Sequence, residues 1–179
     1  MIIPGKIPYT KKAALNIVCS SGVMIDQQEW VPMTDHNSRF GNQYPEPYHS
    51  MQVKIELDNN VLFESNLTQQ MELEHLFEDS ESVTEHSLKI TLTGLNDTHR
   101  VYLDKIGELA PMMRIEGIWI EQLSMRLVLE DHGQCFYNNS SDTQIPSEFI
   151  GQNGTQILNF STPIYPWLMS VQKKSNYFY

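Results

Sequence analysis

Met51-Gln-Val-Lys-Ile-Glu-Leu-Asp-Asn-Asn-Val-Leu-Phe-Glu-Ser65 is the stretch on which the fold class turns. From Met51 to Leu57 every second side chain is apolar, the period of a strand with one buried face and one wet face. Asp58-Asn59-Asn60 interrupts it, and Asp and Asn accept the positive φ that a tight hairpin turn demands. Val61–Ser65 is then the returning strand. The same alternation recurs in Leu88-Lys-Ile-Thr-Leu92 and in Met113-Arg-Ile-Glu-Gly-Ile-Trp-Ile120, and nothing between Met51 and Phe160 reads as a long helix. The pattern predicts an all-β chain, an antiparallel β-sandwich of jelly-roll type with about 8–10 short strands.

Outward from that stretch the texture changes. Ala13–Cys19 reads as a strand, and Trp30 to Tyr48 as a long ordered loop or arm, because Pro32, Pro45 and Pro47 cannot donate to a ladder. Trp30, Phe40, Tyr44 and Tyr48 are too apolar for a free linker, so this segment is expected to pack on the sandwich or on a neighbouring subunit. Three units follow: residues 1–50 as strand and arm, 51–169 as the sandwich, and 170–179 as a tail ending in Tyr177, Phe178 and Tyr179. Within the sandwich, residues 66–77 and Gln122–Leu129 are expected strands. Arg100–Asp104 is a small hairpin inside the loop Gly94–Pro111. Asp131–Gly154 is irregular, Thr155–Phe160 is the last strong strand, and Thr162–Met169 is one helical turn or a bend with Trp167 as a core plug. Long loops in compact domains are often functional.

Composition bounds the partners. The chain has 179 residues, enough to bury a core without a staple, with 40% hydrophobic and 19% charged residues. A net charge of −10 repels a phosphate backbone and an anionic membrane surface alike, which disfavours nucleic acid and membrane as partners. Met1–Thr10 lacks a charged start followed by an apolar run, so a product made in the cytoplasm without a secretion signal is expected. Cys19 and Cys135 do not form a disulfide framework, and whether they pair is left open by the sequence. The six Asn-x-Ser/Thr triplets mark polar turns in an Asn-rich chain.

No catalytic motif appears. Glu72, Glu74, Glu78, Asp79, Glu81 and Glu85 crowd one region, but Glu72 and Glu74 share a strand face and the others lie in or near a turn, as on a solvated edge. His36, His49, His75, His86, His99 and His132 show no metal-ligand spacing. Gly151-Gln-Asn-Gly154 leads into a strand and not into a phosphate-binding helix. Calcium takes oxygen ligands from loops, and Asn96, Asp97 and Asp104 are the best-placed candidates. Trp119 alternates with Ile118 and Ile120, so it faces outward if they face the core, and an outward Trp stacks a sugar ring or fills a partner's pocket. Trp30, Tyr44, Tyr48, Trp119, Tyr177, Phe178 and Tyr179 are therefore the candidate contacts to protein or glycan.

Two resemblances follow from these segments. The hairpin Val53–Glu64, the strand Ser87–Thr93, Asn96-Asp97 and the strand Arg114–Ile120 resemble the layout of calcium-dependent, xylan-binding carbohydrate-binding modules. This implies a jelly-roll sandwich with calcium-binding or sugar-contacting acids at Asp97 and Asp104. The order of the chain from Met51 to Leu168, with its ending Phe149-Ile-Gly-Gln-Asn-Gly-Thr-Gln-Ile-Leu-Asn-Phe-Ser-Thr-Pro-Ile-Tyr-Pro-Trp-Leu168, resembles uncharacterised small proteins of tailed bacteriophages. That implies a non-enzymatic structural component of the virion, a head-decorating or neck- or tail-associated protein present in multiple copies and touching other virion proteins. The alternative is a module attaching the particle to cell-surface glycan.

Overall fold

In this computed structural model, which describes residues 11–41, 50–68, 70–138 and 140–175 and only the backbone of 97 and 172–175, the first element is a 15-residue strand, β1 (Lys11–Ile25). Its inward positions Ala13, Leu15, Ile17 and Cys19 are fully buried, while Asn16 and Ser20 fall on the opposite face. Asp26 and Gln27, at φ 49° and 59°, turn the chain into β2 (Glu29–Pro32), and α1 (His36–Phe40) tucks the Phe40 ring into the core. The described part of the segment expected as a loop over Trp30–Tyr48 is thus strand and helix with Phe40 buried, and residues 42–49 lie outside the described residues.

β3 (Gln52–Leu57) and β4 (Asn60–Asn66) form the hairpin read from the sequence. The turn is Asp58 and Asn59, both at positive φ (53° and 65°). The Asp58 carboxylate pins it to the neighbouring strand of the same sheet, accepting from the Ser87 amide at 2.8 Å and meeting His86 Nδ1 at 2.7 Å. β5 (Met71–Asp79) and β6 (Thr84–Thr93) follow, then a small hairpin between β7 (Val101–Leu103) and the 14-residue β8 (Gly107–Ile120).

After β8 the structure departs from the expectation of a strand over Gln122–Leu129. Only β9 (Leu123–Ser124) is extended, and α2 (Arg126–His132) replaces the rest. Met125, Val128 and Leu129 are buried while Leu127 stays exposed, and that spacing of three and four is helical. β10 (Gln134–Tyr137), β11 (Phe149–Ile150) and β12 (Gly154–Thr162) complete the sheets. The single helical turn or bend expected over Thr162–Met169 extends into a 12-residue helix, α3 (Ile164–Ser175). Ile164, Leu168 and Val171 bury one stripe of it, and Pro166 is tolerated because it sits in the first turn. The Asp79 carboxylate accepts from the Ile164 amide at that helix start, and Trp167 packs 6.0 Å from the Phe160 ring.

Two antiparallel sheets face each other across one core, which makes the chain a β-sandwich. In the first sheet β1 pairs along one edge with β8, from Leu15↔Ile120 to Ile25↔Leu109; its other edge is shared by β5 and β2. The free edge of β8 carries β7, β11 and β9. The second sheet runs β10-β12-β6-β3-β4. Twelve strands are present among the described residues, more than the expected 8–10, and β1, β6 and β8 are long. Among these residues no helix is long and apolar enough to cross a membrane.

Candidate functional site

β8 does not alternate throughout. Ile115 and Ile118 both face the core although three positions apart, so one residue must be extruded, and Glu116 is the residue without a partner on β1 (Val18↔Gly117, Cys19↔Ile115). This β-bulge puts Glu116 and Gly117 together on the outer surface. Trp119, on the same surface, folds its indole back across Gly117, where the missing β-carbon leaves room for the ring. A cleft of about 180 Å³ opens there, between the bulge, the start of α2 and residues 146–148.

The polar wall of this cleft is a chain of charges. Ser20 Oγ donates to Glu116 Oε1 at 2.6 Å, and Arg114 Nη1 lies 3.3 Å from Glu116 Oε2. Arg114 Nε donates to Glu148 Oε1 at 2.6 Å, and Arg126 Nη2 approaches Glu148 Oε2 at 2.8 Å. Arg126 Nε reaches Glu130 at 3.4 Å along α2. Glu148, 15% exposed, thus ties β8 to α2 through both of its oxygens. Such charge-assisted pairs fix the orientation of both partners.

A second cleft, about 330 Å³, lies at one end of the sandwich where the loops after β6, β10 and β11 meet. Asn96, Arg100, Asn138, Gln152 and Asn153 line it. Asn153 braces it by accepting from the Leu95 amide at 2.8 Å and donating to the Leu95 carbonyl at 2.9 Å. Asn138 Nδ2 donates to Gln152 Oε1 at 3.3 Å, and Arg100 Nη2 reaches the Gly151 carbonyl at 3.4 Å.

Of the calcium candidates, Asn96 lines this cleft, but its side-chain oxygen accepts from the Thr98 amide at 3.0 Å. Asp104 is exposed in the turn between β7 and β8, and the Asp97 side chain lies outside the described residues. Among the described residues no three His, Cys, Asp or Glu side chains gather to hold a metal.

Trp30 lies over Gly22 of β1 and against Phe149 at 5.3 Å, and the Arg114 guanidinium stacks on the other ring of that pair, also at 5.3 Å. Trp119 and Trp30 thus both lie on the outer side of the first sheet. Tyr44, Tyr48, Tyr177, Phe178 and Tyr179 lie outside the described residues. Glu72 and Glu74 are exposed on β5, as a solvated edge requires. Cys19 and Cys135 are unbridged and buried; burial, with Glu116 nearby, pushes the Cys19 thiol up to about 12. Arg114, Glu116, Arg126 and Glu148 are the site residues that strand reading missed. The signal for one of them, Glu116, was present in Ile115-Glu-Gly-Ile118, where the alternation breaks.

No protein-family model matches the chain, and no curated protein matches it. Among solved structures it is similar to vCBM60 in complex with galactobiose, at 9% identity and a TM-score of 0.41 over 80% of this chain and 95% of that one. It is similar to the same degree to the selenomethionine form of vCBM60, described with a circular permutation linking two families of calcium-dependent carbohydrate-binding modules; the match covers 81% of this chain and 88% of that one.

Proposed function

We propose that this chain is a non-catalytic glycan-recognition module and that the Trp119 cleft is where a sugar ring sits. The observation that carries this reading is the indole laid across Gly117 beside an oriented arginine–glutamate network. A sugar presents an apolar C–H face, which an indole covers, and hydroxyls that both donate and accept. Carboxylates take the donated hydrogens and guanidinium groups supply the others. Glu148 is held by arginine on both oxygens, which supports an orienting role over acid–base work.

The test is binding of the purified chain to a glycan array, followed by calorimetry on the strongest hit with and without chelator. Trp119→Ala is expected to weaken binding at least tenfold, about 1.4 kcal/mol, with the thermal transition retained. The chelator is expected to have no effect. Flat binding across the array, or full affinity in Trp119→Ala, sinks the reading.

A second reading, a structural part of a tailed-phage particle, is supported by the resemblance in chain order and by a separate apolar surface. Leu127, 58% exposed, lines a cleft of about 290 Å³ together with Leu123, Val128 and Leu168, and Met169, next to Leu168 in α3, is 48% exposed. Exposed apolar surface of this kind fits another virion protein. Mass analysis of purified particles tests it, and absence of the chain from them removes it.

A further inference from the structure

We infer that the Trp119 cleft and the amide-lined cleft are two subsites of one track, and that its occupant is a glycan chain and not a single sugar. The inference rests on the glycan reading above and adds the length of the ligand. One short segment serves both clefts: Ser147 and Glu148 line the first, and Gly151, Gln152 and Asn153 line the second. From Glu148 to Gly151 an extended backbone rises ~10 Å. Trp119 and Gln152 line different clefts, and a chain that continues along β11 reaches both.

The strip between the clefts has the chemistry of a continued glycan surface. Phe149 is the outward residue of β11, as its partner Arg114 is of β8; the guanidinium lies over the phenyl ring and Trp30 leans against it. These stacked planar groups offer flat apolar area edged by N–H donors. Gly151 marks the far end of the strip. A β-carbon there would come 3.0 Å from Cε of Met112 and 3.5 Å from Nη2 of Arg100, so a side chain at this position would crowd the passage into the second cleft. Beyond it, Arg100 and Gln152 are exposed and present donors and acceptors to hydroxyl groups.

The experiment is calorimetry of the full chain with β-1,4-linked xylose and galactose oligomers of one to six units, on the wild type, Trp119→Ala and the double variant Arg100→Ala with Gln152→Ala. Both double-variant positions are exposed, and an unchanged thermal transition verifies that the fold is kept. The expected result is a wild-type affinity that climbs at least tenfold from the shortest bound oligomer to the longest. Trp119→Ala weakens every length, whereas the double variant weakens only the longer ones. An affinity that is flat from the disaccharide upward overturns the track and leaves the Trp119 cleft standing as a single-ring site. An equal loss at all lengths in the double variant also overturns the track. Failure of every oligomer to bind overturns the track together with the reading on which it rests.

Discussion

Cys19 is a residue whose chemistry follows from its place in β1. Its side chain is fully buried between the sheets, and that desolvation, with Glu116 nearby, holds the thiol pKa near 12 instead of its ordinary 9.0. The folded chain therefore keeps a proton that the unfolded chain releases near pH 9. Stability from this group is complete below pH 9 and is lost progressively as the pH rises toward 12. By pH 10.5 the loss is about 2 kcal/mol from this one thiol. Urea unfolding of wild type and Cys19→Ala at pH 8 and pH 10.5 measures it: the wild type should lose more stability between the two pH values, by roughly that amount. Cys135 and Tyr137 are also raised by burial, but they are present in both proteins and cancel in the difference. Equal losses in the two proteins would show that the Cys19 thiol ionises in the folded chain as readily as in the unfolded one.

The β8 bulge is the element on which the Trp119 cleft depends. Deleting Glu116 turns Met113-Arg-Ile-Glu-Gly-Ile-Trp-Ile120 into a strictly alternating strand and leaves Ile115, Ile118 and Ile120 facing the core. The same deletion removes the acceptor for Ser20 and Arg114 and resets the height of Trp119 over its neighbours. The expected outcome is a folded protein, seen as an intact far-UV dichroism spectrum and cooperative melt, that no longer binds glycan. Retained binding would mean that the bulge does not build the site. This element also shows how far the sequence could be read. Leu88–Leu92 and the Asp58–Asn59 turn were legible because one face is buried and two positive-φ residues sit where a hairpin needs them. α2 was not, since Leu123, Met125 and Leu127 mimic a strand over a short window, and only burial separates Met125, Val128 and Leu129 from exposed Leu127. Trp119 and the polar loop at Asn96 were legible as candidates. Their partners Arg126, Glu148 and Gln152 were not, because the contacts join segments far apart in sequence that only the sheet pairing brings together.

That dependence on distant pairing extends to the whole molecule. β1 is an N-terminal segment, yet it lies inside the larger sheet, with β8 on one edge and β5 and β2 on the other. Its longest pairing, from Leu15↔Ile120 to Ile25↔Leu109, joins opposite halves of the chain, so loop-closure entropy must be spent before it forms. Folding dominated by such non-local strands takes milliseconds to seconds. The chain should therefore have no stable sandwich without β1, even though Met51–Phe160 carries the clearest strand pattern. Deleting residues 1–25 exposes the inner edges of β8 and β5 at once and removes Leu15, Ile17 and Val23 from the core, and the shortened chain is expected to show no cooperative melt and to bind a hydrophobic dye. A milder variant grades the effect. Leu15 is fully buried, and Leu15→Ala is expected to cost about 2–5 kcal/mol, a large share of the ~5–15 kcal/mol that a domain of this size holds. Urea midpoints measure that cost directly. A sharp, wild-type-like transition in the chain lacking residues 1–25 would show instead that β8 and the second sheet form a core of their own, with β1 only added to it.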